Sequence, residues 1–562
     1  MNYFKSGCNW GSGKPDNYCL LKKHSIVICA NHDIRMGDFV AIAQGFSIVA
    51  IAQVKSKRYP CTENPKLEKD FEEYKIDYED WNCVADAIIW ELPKSDRIWY
   101  EQQKGICKIH QPNIQNKISA AINKIMGNKM VENCKKILLG NHNLILTGAP
   151  GTGKTFLAKK IAKELGATEE NHQCKMVQFH PSYDYTDFVE GLRPKDNQND
   201  GSIGFELRRG SFKEFCVQAL ENLINSKKSS KDIGEDAMFQ AAYDEMIDKV
   251  RNVELTEIPL KSNNMSMEIV GVSDNNNLIL KAKGSDAVKY TISYRRLRKL
   301  SLVYKDKNSL DSISNIDKAV REAIKGCNTS AYWATLYFLY KNYLRQNTIE
   351  VKTVERKNFV FIIDEINRGE ISKIFGELFF SIDPGYRGES GTVQTQYQNM
   401  IEEGDIYENG FYVPENVYVI GTMNDIDRSV ESMDFAMRRR FAWKEITVES
   451  RQSMLDDESV WDGKKPGQGV IDEIKARMNN LNACIIDKYG TEELSPKDKI
   501  GLTKAYQIGA SYFLKLCMYE NNFDELWANH IEGLLYEYLR GTSNIEAKIE
   551  RLKTAYNDTI AH

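Results

Sequence analysis

The 562-residue sequence has no long hydrophobic run. No stretch reaches the roughly 18 consecutive apolar residues that a membrane-spanning helix needs, and the mean hydropathy is −0.49. The first residues, Met1–Cys19, are rich in Gly, Ser, Asn and Asp and lack the apolar segment of a secretory signal. We therefore expect a cytoplasmic protein that does not enter a membrane.

Cysteine and histidine are present, but not in the spacings that bind metals. The 12 cysteines include no CxxC pair, and the eight histidines include no HxxxH or HExxH pair. A G-x-S-x-G nucleophile elbow is also absent. Without a signal sequence the cysteines are expected to be reduced thiols. The sequence therefore predicts neither a zinc site nor a serine hydrolase, and any DNA cleavage is expected from another chain.

Positive and negative side chains are nearly equal in number. Lys and Arg number 75, Asp and Glu number 79, and the net charge is −4 with a pI of about 6.2. This balance argues against nucleic-acid binding driven by overall charge, and leaves room for a local pocket. The hydrophobic fraction of 42% and the charged fraction of 27% are ordinary for globular chains. A chain of this length predicts about three or four domains.

The N-terminal segment, residues 1–112, has the pattern of a small β-rich domain. Val40–Val54 contains two β-type runs around a glycine turn, which predicts a hairpin, and Ala85–Trp90 predicts a further strand. Helical spacing comes next, at Ile118–Leu139. We expect residues 1–112 to form a domain of their own.

An α/β pattern begins near residue 115 and continues to about 450. Asn143–Thr147 reads as a buried strand, a glycine-rich loop comes after it, and Thr155–Leu165 reads as a helix. Phe359–Ile363 and Val417–Gly421 read as two more buried strands. The order of strand, loop and helix predicts an α/β core with a parallel sheet.

About 200 residues separate the first two of these strands, far more than a simple crossover needs. We therefore predict an inserted α+β unit at about 230–350. Its expected elements are a helix at Glu235–Arg251, β-runs at Met265–Val272, Leu278–Ala282 and Lys289–Ser293, and a helix at Ser330–Arg345. The basic segment Tyr294–Lys299 either faces DNA or a partner, or forms a solvated helix face. Residues 451–562 are expected to be mainly helical, with helices at Phe523–Leu539 and Ile545–Tyr556.

The glycine-rich loop fits the pattern G-x-x-x-x-G-K-[ST]. Its glycines let the backbone wrap around phosphate, and the helix after the loop directs N–H groups at the anion. Lys154 is expected to contact the β- and γ-phosphates, and the Thr155 hydroxyl to ligate Mg²⁺. The predicted nucleotide-binding residues are Gly148, Ala149, Pro150, Gly151, Thr152, Gly153, Lys154, Thr155 and Phe156.

Polar residues at the ends of the other two strands complete a hydrolytic site. Asp364 is expected to hold Mg²⁺ through water, and Glu365 to polarise the attacking water. Asn424 comes after the third strand and can orient that water, although an Asn there can also simply form a turn. Arg439 and Arg440 are either part of a solvated face or reach a neighbouring subunit's γ-phosphate.

These elements in this order resemble an AAA+ P-loop NTPase, and the linking motifs resemble its McrB branch. The motifs that carry the resemblance are Asp364–Arg368, Ser372–Glu377, Met423–Ser429, Asp434–Phe441, Phe179–Tyr183, Asp187–Gly191 and Gln507–Phe513. The resemblance covers about 115–230 and 355–540. It implies an α/β AAA+ core with a helical C-terminal lid at 451–562. The insertion at about 230–350 departs from the simplest members.

The resemblance also implies a function. Members of this branch are similar to GTPases that form hexameric rings and drive modification-dependent restriction, with a McrC-type partner that stimulates hydrolysis and carries the nuclease. Carried across by motif, Asn424, Asp427 and Arg428 would contact the water of the nucleotide site or an inserted finger of the partner. Arg439 and Arg440 would be the arginines that act in trans. GTP is implied by kinship alone, since no motif distinguishes guanine from adenine.

The N-terminal domain is weakly similar to EVE or PUA-like barrels, which hold a modified base in a pocket. A flipped base would stack on an aromatic side chain. The candidate aromatics are Trp10, Phe46, Trp81, Trp90 and Trp99, and the candidate phosphate contacts are Lys55, Lys57 and Arg58. Core packing is the competing explanation for each aromatic, and a solvated turn for the cations.

Three functions therefore stay open from the sequence. The first is an oligomeric GTPase motor of a restriction complex that recognises DNA. The second is an AAA+ ATPase that remodels protein or protein–nucleic-acid complexes. The third is a nucleotide-gated sensor of nucleic acid with slow hydrolysis. The base used, the response to modified DNA and stimulation by a partner distinguish them.

Overall fold

The computed structural model describes most of the chain. The described residues are 2–8, 17–30, 32–73, 82–102, 105–196, 203–261, 265–273, 276–284, 288–344, 353–402, 404–426, 435–490 and 498–559. None of the helices in these ranges combines the length and the apolar composition that crossing a membrane requires.

The N-terminal region is a mixed β-sheet that curls into a half-barrel. Its strands are β1 (Tyr3–Gly7), β2 (Ile26–Ile28), β3 (Phe39–Gln44), β4 (Ser47–Val54), β5 (Tyr59–Pro60), β6 (Cys83–Glu91), β7 (Ile98–Trp99) and β8 (Ile106–Lys108), with helices α1 (Tyr18–His24) and α2 (Pro65–Glu73). The main path runs β2-β6-β4-β3-β1-β8, and β1 pairs with β3 in parallel. The predicted hairpin is confirmed as the antiparallel pair β3–β4, and the prediction of a mainly-β region is confirmed.

One long helix joins this sheet to the rest of the chain. Helix α3 (Pro112–Asn141) has 30 residues, a length of about 45 Å. Ile114, Ile118 and Ile122 lie one turn apart and pack under the N-terminal sheet. Val131 and Leu138, nearer its C-terminus, pack in the core of the next sheet. A single helix therefore contributes to two hydrophobic cores.

The second sheet is the predicted parallel α/β core. Its first elements are β9 (Asn143–Thr147), α4 (Lys154–Glu164), β10 (Cys174–Gln178), α5 (Tyr185–Phe188), a hairpin of β11 (Glu190–Asp196) and β12 (Ile203–Arg209), and α6 (Ser211–Ser226). An insertion comes next in the chain. The core then resumes with β17 (Phe359–Asp364), α12 (Ile371–Phe375), α13 (Leu378–Ser381), β18 (Val417–Thr422), α14 (Phe435–Arg440) and β19 (Ala442–Glu445).

The strands of this core run in the order β10-β17-β18-β9-β19, all parallel. The three strands that the sequence predicts, β9, β17 and β18, are adjacent, and their central residues are fully buried. Edge strands β10 and β19 are only partly buried, so their apolar signal is weak. Because the strands are parallel, all their carboxyl ends lie along one edge of the sheet.

The insertion has a hydrophobic core of its own. It comprises α7 (Ser230–Arg251), β13 (Glu257–Pro259), β14 (Ser266–Val272), β15 (Leu278–Ala282), β16 (Lys289–Ile292), α8 (Tyr294–Val303), α9 (Lys307–Asp311), α10 (Ile316–Ile324) and α11 (Thr329–Asn342). The strands form an antiparallel sheet in chain order. Strand β15 has the predicted bounds, and the other predicted helices and β-runs are observed with bounds shifted by a few residues; Arg345, the predicted end of the last helix, lies outside the described residues.

The basic segment of the insertion is used for ion pairs. It lies in α8, where Arg296 pairs with Glu408 of the α/β core and Arg298 with Asp236 of α7. These two arginine side chains are only 12% and 15% exposed, so the expectation of a solvated or DNA-facing surface is wrong for them. The exposed Arg295 pairs with Glu221 of α6. Arg295 and Arg296 thus dock the insertion onto the core, whereas Arg298 joins two helices within the insertion.

The C-terminal region is mainly helical, as predicted, and has its own core. Its helices are α15 (Val448–Arg451), α16 (Gln468–Ile485), α17 (Phe523–Leu526), α18 (Glu532–Tyr538) and α19 (Ile545–Asn557), with a 3₁₀ helix at Ala510–Tyr519. The helix predicted at Phe523–Leu539 is α17 and α18 joined by a π-helical turn at Trp527–Ile531. This region packs against the glycine-rich loop between β9 and α4.

The shared helix α3 generates a stability prediction. Replacing Ile118 with Ala should destabilise the N-terminal sheet by about 2–4 kcal/mol, because a fully buried side chain leaves a cavity. The neighbouring Lys117 is exposed, so Lys117→Ala should change stability by less than about 0.5 kcal/mol. Calorimetric unfolding of both variants measures this. Equal unfolding temperatures would contradict the assignment of α3 to the N-terminal core.

Candidate active site

The loop between β9 and α4 has a backbone that only glycine tolerates at several positions. Gly148, Gly151 and Gly153 have φ angles of +145°, +76° and +74°. A Cβ on Gly148 would lie 2.2 Å from the carbonyl oxygen of Ile446. The positive φ values and the close contact both exclude larger residues. The loop leads directly into the N-terminus of α4, where free N–H groups attract an anion.

Lys154, the first residue of α4, is held inside the loop. Its ammonium group donates to the carbonyl oxygens of Gly148 and Ala149, both at 3.0 Å. A third hydrogen bond runs to Asn424 Oδ1 at 2.8 Å. The cation therefore links the loop to the end of β18.

Asp364, at the end of β17, accepts two hydroxyl hydrogen bonds. Thr155 Oγ1 of α4 donates to Asp364 Oδ1 over 2.7 Å, and Thr422 Oγ1 of β18 donates to the same oxygen over 2.5 Å. A carboxylate beside a hydroxyl is an oxygen donor set that suits Mg²⁺. Among the described residues no cluster of three or more His, Cys, Asp or Glu side chains forms a metal site. An ion held by Thr155 and Asp364 would therefore complete its shell with phosphate and water.

Glu365, the next residue, adopts a strained conformation. Its φ is +51°, an uncommon value for a residue with a side chain. The backbone N–H donates to Thr422 Oγ1 at 3.3 Å, and Oε1 accepts from Asn424 Nδ2 at 2.6 Å. Arg368 Nε lies 3.4 Å from Oε2. This left-handed turn directs the second carboxylate toward Asn424, where it can polarise a water molecule.

Two residues of this cluster, Thr422 and Asp425, were not predicted from the sequence as site residues. Thr422 joins Asp364 to the Glu365 backbone, and its signal is its position at the end of a buried strand just before Asn424. Asp425 donates its backbone N–H to Gly148 O at 3.4 Å. Desolvation raises the pKa of Asp425, and the Lys154 cation acts in the opposite direction.

The C-terminal region touches the loop through its backbone. The N–H of Gly509 donates to Pro150 O and that of Ser511 to Gly151 O, both at 2.9 Å. A Cβ on Gly509 would lie 2.1 Å from the carbonyl carbon of Gly151. The Tyr512 ring covers Gly151. The sequence indicated that Gln507–Phe513 belongs to a lid, but nothing in it predicted this direct backbone contact.

Comparisons with known proteins agree with this geometry. Residues 319–441 match the AAA domain (dynein-related subfamily), and residues 121–190 match magnesium chelatase subunit ChlI. The type IV methyl-directed restriction enzyme EcoKMcrB subunit of Escherichia coli K12 is 26% identical over 408 residues, which are 71% of this chain and 53% of that protein. The type II restriction enzyme BsuMI component YdiS of Bacillus subtilis 168 is 30% identical over 102 residues, 18% of this chain and 30% of that protein.

The chain is a McrB-like AAA protein. The AAA domain implies binding of a nucleoside triphosphate with Mg²⁺ and its hydrolysis. The McrB-like chain is also related to components of restriction systems. Its matched segment spans only about half the length of the E. coli relative and less than a third of the B. subtilis one.

The arginines of the McrB-like chain have different surroundings. Arg438, Arg439 and Arg440 are the last three residues of α14. Arg438 and Arg439 are both exposed, and Arg438 lies over the Trp443 ring. Arg440 is buried, donates to Phe379 O at 2.6 Å and lies 3.6 Å from Asp383. Of the two arginines predicted to act in trans, only Arg439 is therefore exposed.

Four residues singled out in the sequence lie outside the described part of the McrB-like chain. They are Trp10, Trp81, Asp427 and Arg428. The first two are candidates for base stacking, and the last two are candidates for contacts with water or a partner. Their predicted roles remain predictions.

The structure does not gather the other N-terminal candidates into one pocket. Phe46 and Trp99 pack together at 5.6 Å between ring centroids and are 36% and 61% exposed. Lys55 and Arg58 lie past the opposite end of β4, roughly 30 Å along the strand from Phe46. Lys57 is exposed beside them. Trp90 of β6 lines a separate cavity against α3.

The contact between the lid and the loop yields a prediction with a matched control. Gly509→Ala adds a methyl group where the loop backbone already lies, so the lid must move away. We expect nucleoside triphosphate affinity, measured by calorimetric titration with Mg²⁺, to fall about tenfold or more. Gly533→Ala places the same methyl in open space on α18 and should leave affinity unchanged. Equal affinities for the two variants would contradict the role of the contact.

Proposed function

We propose that this protein is a GTP-hydrolysing, DNA-recognising motor subunit of a McrBC-type restriction and antiviral defence complex, acting in the cytoplasm. The observation that supports it most directly is the convergence of Lys154, Thr155, Asp364, Glu365 and Asn424 at the carboxyl ends of three adjacent strands. The similarity to a methyl-directed restriction enzyme subunit supports the choice of complex.

The proposed chemistry is derived from these contacts. The loop N–H groups and Lys154 would bind the β- and γ-phosphates, and Thr155 and Asp364 would hold Mg²⁺. The ion, when bound, neutralises charge that develops on the phosphate oxygens. Glu365 polarises the attacking water, and Asn424 holds that carboxylate in place. Since Asn424 also accepts from Lys154, arrival of a γ-phosphate would compete for the same ammonium group and change the position of Asn424.

Assembly into a ring, which we propose to be hexameric, completes the site. The exposed Arg439 is the residue that we assign to a neighbouring subunit's γ-phosphate, and Asp427 and Arg428 would contact the water or the partner. Arg440, buried against Phe379, would act mainly by fixing the orientation of α14. A trans-acting arginine makes hydrolysis depend on assembly.

The target and partner complete the proposal. We assign the N-terminal domain, residues 1–112, to recognition of DNA that carries modified bases, in the manner of EVE or PUA-like domains. The exposed pair Phe46 and Trp99 offers a stacking surface. Helix α3 would carry the effect of target binding to the core at 115–450 and the lid at 451–562. A McrC-like nuclease would stimulate hydrolysis and cut the DNA.

Glu365→Gln tests the hydrolytic assignment. The amide cannot act as a base, so turnover should fall by about 10²–10⁴-fold while nucleotide binding persists. Glu370→Gln is the matched control, because Glu370 is an exposed carboxylate that pairs with Lys373. Phosphate release and nucleotide titration measure the two properties. Wild-type turnover in Glu365→Gln would show that another group activates the water.

Mixed assemblies test the action of Arg439 in trans. The Arg439→Ala subunit keeps an intact phosphate loop, and the Lys154→Ala subunit keeps an intact Arg439. In an equal mixture, about a quarter of the subunit interfaces combine that loop with that arginine, so about a quarter of wild-type turnover should be recovered. Lys154→Ala mixed with Glu365→Gln should recover nothing, because each variant disables its own site. Absence of rescue in the first mixture, with assembly intact, would place Arg439 outside the neighbour's site.

A further inference from the structure

A cavity of about 1190 Å³ lies beside the phosphate loop and outside the hydrolytic cluster. Its walls come from the N-terminal sheet at Trp90, from the middle of α3, from the first turn of α4 at Phe156, and from the segment Arg451–Glu458. Within the described chain, Asp364, Glu365 and Asn424 are not part of its lining. The cavity therefore lies beyond the α4 end of the loop, away from the predicted γ-phosphate position.

Arg451, the last residue of α15, enters this cavity with unsatisfied donors. The side chain is 4% exposed, and its Nε and Nη2 atoms donate no hydrogen bond within the described residues. Its guanidinium carbon lies 5.9 Å from the Phe156 ring centre. A Cβ built on Gly153 would be 3.6 Å from Nη2, so the group lies next to the phosphate loop.

Such an arrangement is costly unless a ligand completes it. A buried guanidinium without acceptors loses its hydration, and no hydrogen bond offsets the free energy of that desolvation. Desolvation lowers the pKa of Arg451, while Asp457 acts in the opposite direction. Because a nucleotide whose γ-phosphate faces Glu365 must extend its base away from that residue, the base is the part of the ligand that can reach this cavity.

We infer that Arg451 is the residue that selects guanine, donating hydrogen bonds to O6 and N7 of the base while the base packs beside Phe156. This inference rests on the proposed function. Guanine presents two acceptors on that edge, whereas adenine presents one acceptor and an N–H donor. Arginine has only donors, so adenine loses one hydrogen bond and places N–H against N–H. The sequence has no guanine motif because a single arginine in the lid carries the selection.

Nucleotide analogues test this on the unmodified protein. In calorimetric titrations with Mg²⁺, 7-deaza-GTP, which lacks the N7 acceptor, should bind about tenfold or more weakly than GTP. Inosine triphosphate keeps both O6 and N7 and should bind within a few-fold of GTP. ATP should bind more weakly than either. Equal affinity for GTP and 7-deaza-GTP would overturn the inference.

The variant Arg451→Met provides a second test of the inference. In this variant the affinities for GTP, 7-deaza-GTP and ATP should become similar, since the donors are gone but the packing volume stays. Arg477→Met removes another largely buried lid arginine, which pairs with Glu473 and lies outside the cavity, and should keep the wild-type ratios. A GTP to 7-deaza-GTP ratio that persists in Arg451→Met would also overturn the inference.

The proposed function and the assignment of Arg451 fail separately. Failure of the wild-type protein to bind any nucleoside triphosphate would overturn the proposed function together with this inference. Binding and hydrolysis with equal affinities for GTP and ATP, or with a preference for ATP, would overturn the assignment of Arg451 and the choice of GTP, and would leave the rest of the proposed hydrolytic mechanism standing. If Arg451→Met does not fold, the analogue series on the wild-type protein decides the question.

Discussion

The carboxylate of Asp364 holds the site together. It accepts hydrogen bonds from Thr155 at the start of α4 and from Thr422 at the end of β18, and it is itself the last residue of β17. Three elements that are far apart in the sequence are thereby fixed within hydrogen-bonding distance. The arrangement is possible because β17, β18 and β9 are parallel neighbours whose carboxyl ends coincide.

The loop is fixed from its other side by the lid. Gly509 and Ser511 donate to the loop carbonyl groups, so the backbone of the lid lies directly on the backbone of the loop. Helix α3 and the segment Arg451–Glu458 together wall a cavity that also includes the N-terminal sheet. A change in lid position therefore changes the surroundings of the loop and of the N-terminal sheet together, which gives the proposed motor a physical connection to the proposed target-reading domain.

Much of this arrangement could be predicted from residues alone. The loop, Asp364 and Glu365 come directly after apolar strands of strong signal, and the observed β9 and β15 agree with the predicted bounds. The lid contact at Gly509 could not be predicted, since it depends on how two distant backbones approach. The ion pairs of Arg296 and Arg298 were missed for the same reason: a run of cations looks solvated until its partners, Glu408 and Asp236, are placed.

The most direct measurement is steady-state hydrolysis of GTP and of ATP by the purified protein, with Asp364→Ala as the blank. We predict Mg²⁺-dependent hydrolysis that the Asp364 substitution abolishes, and a preference for GTP. Hydrolysis that survives in Asp364→Ala would contradict the proposed mechanism, because the oxygen on which Thr155 and Thr422 converge would then be dispensable for the chemistry.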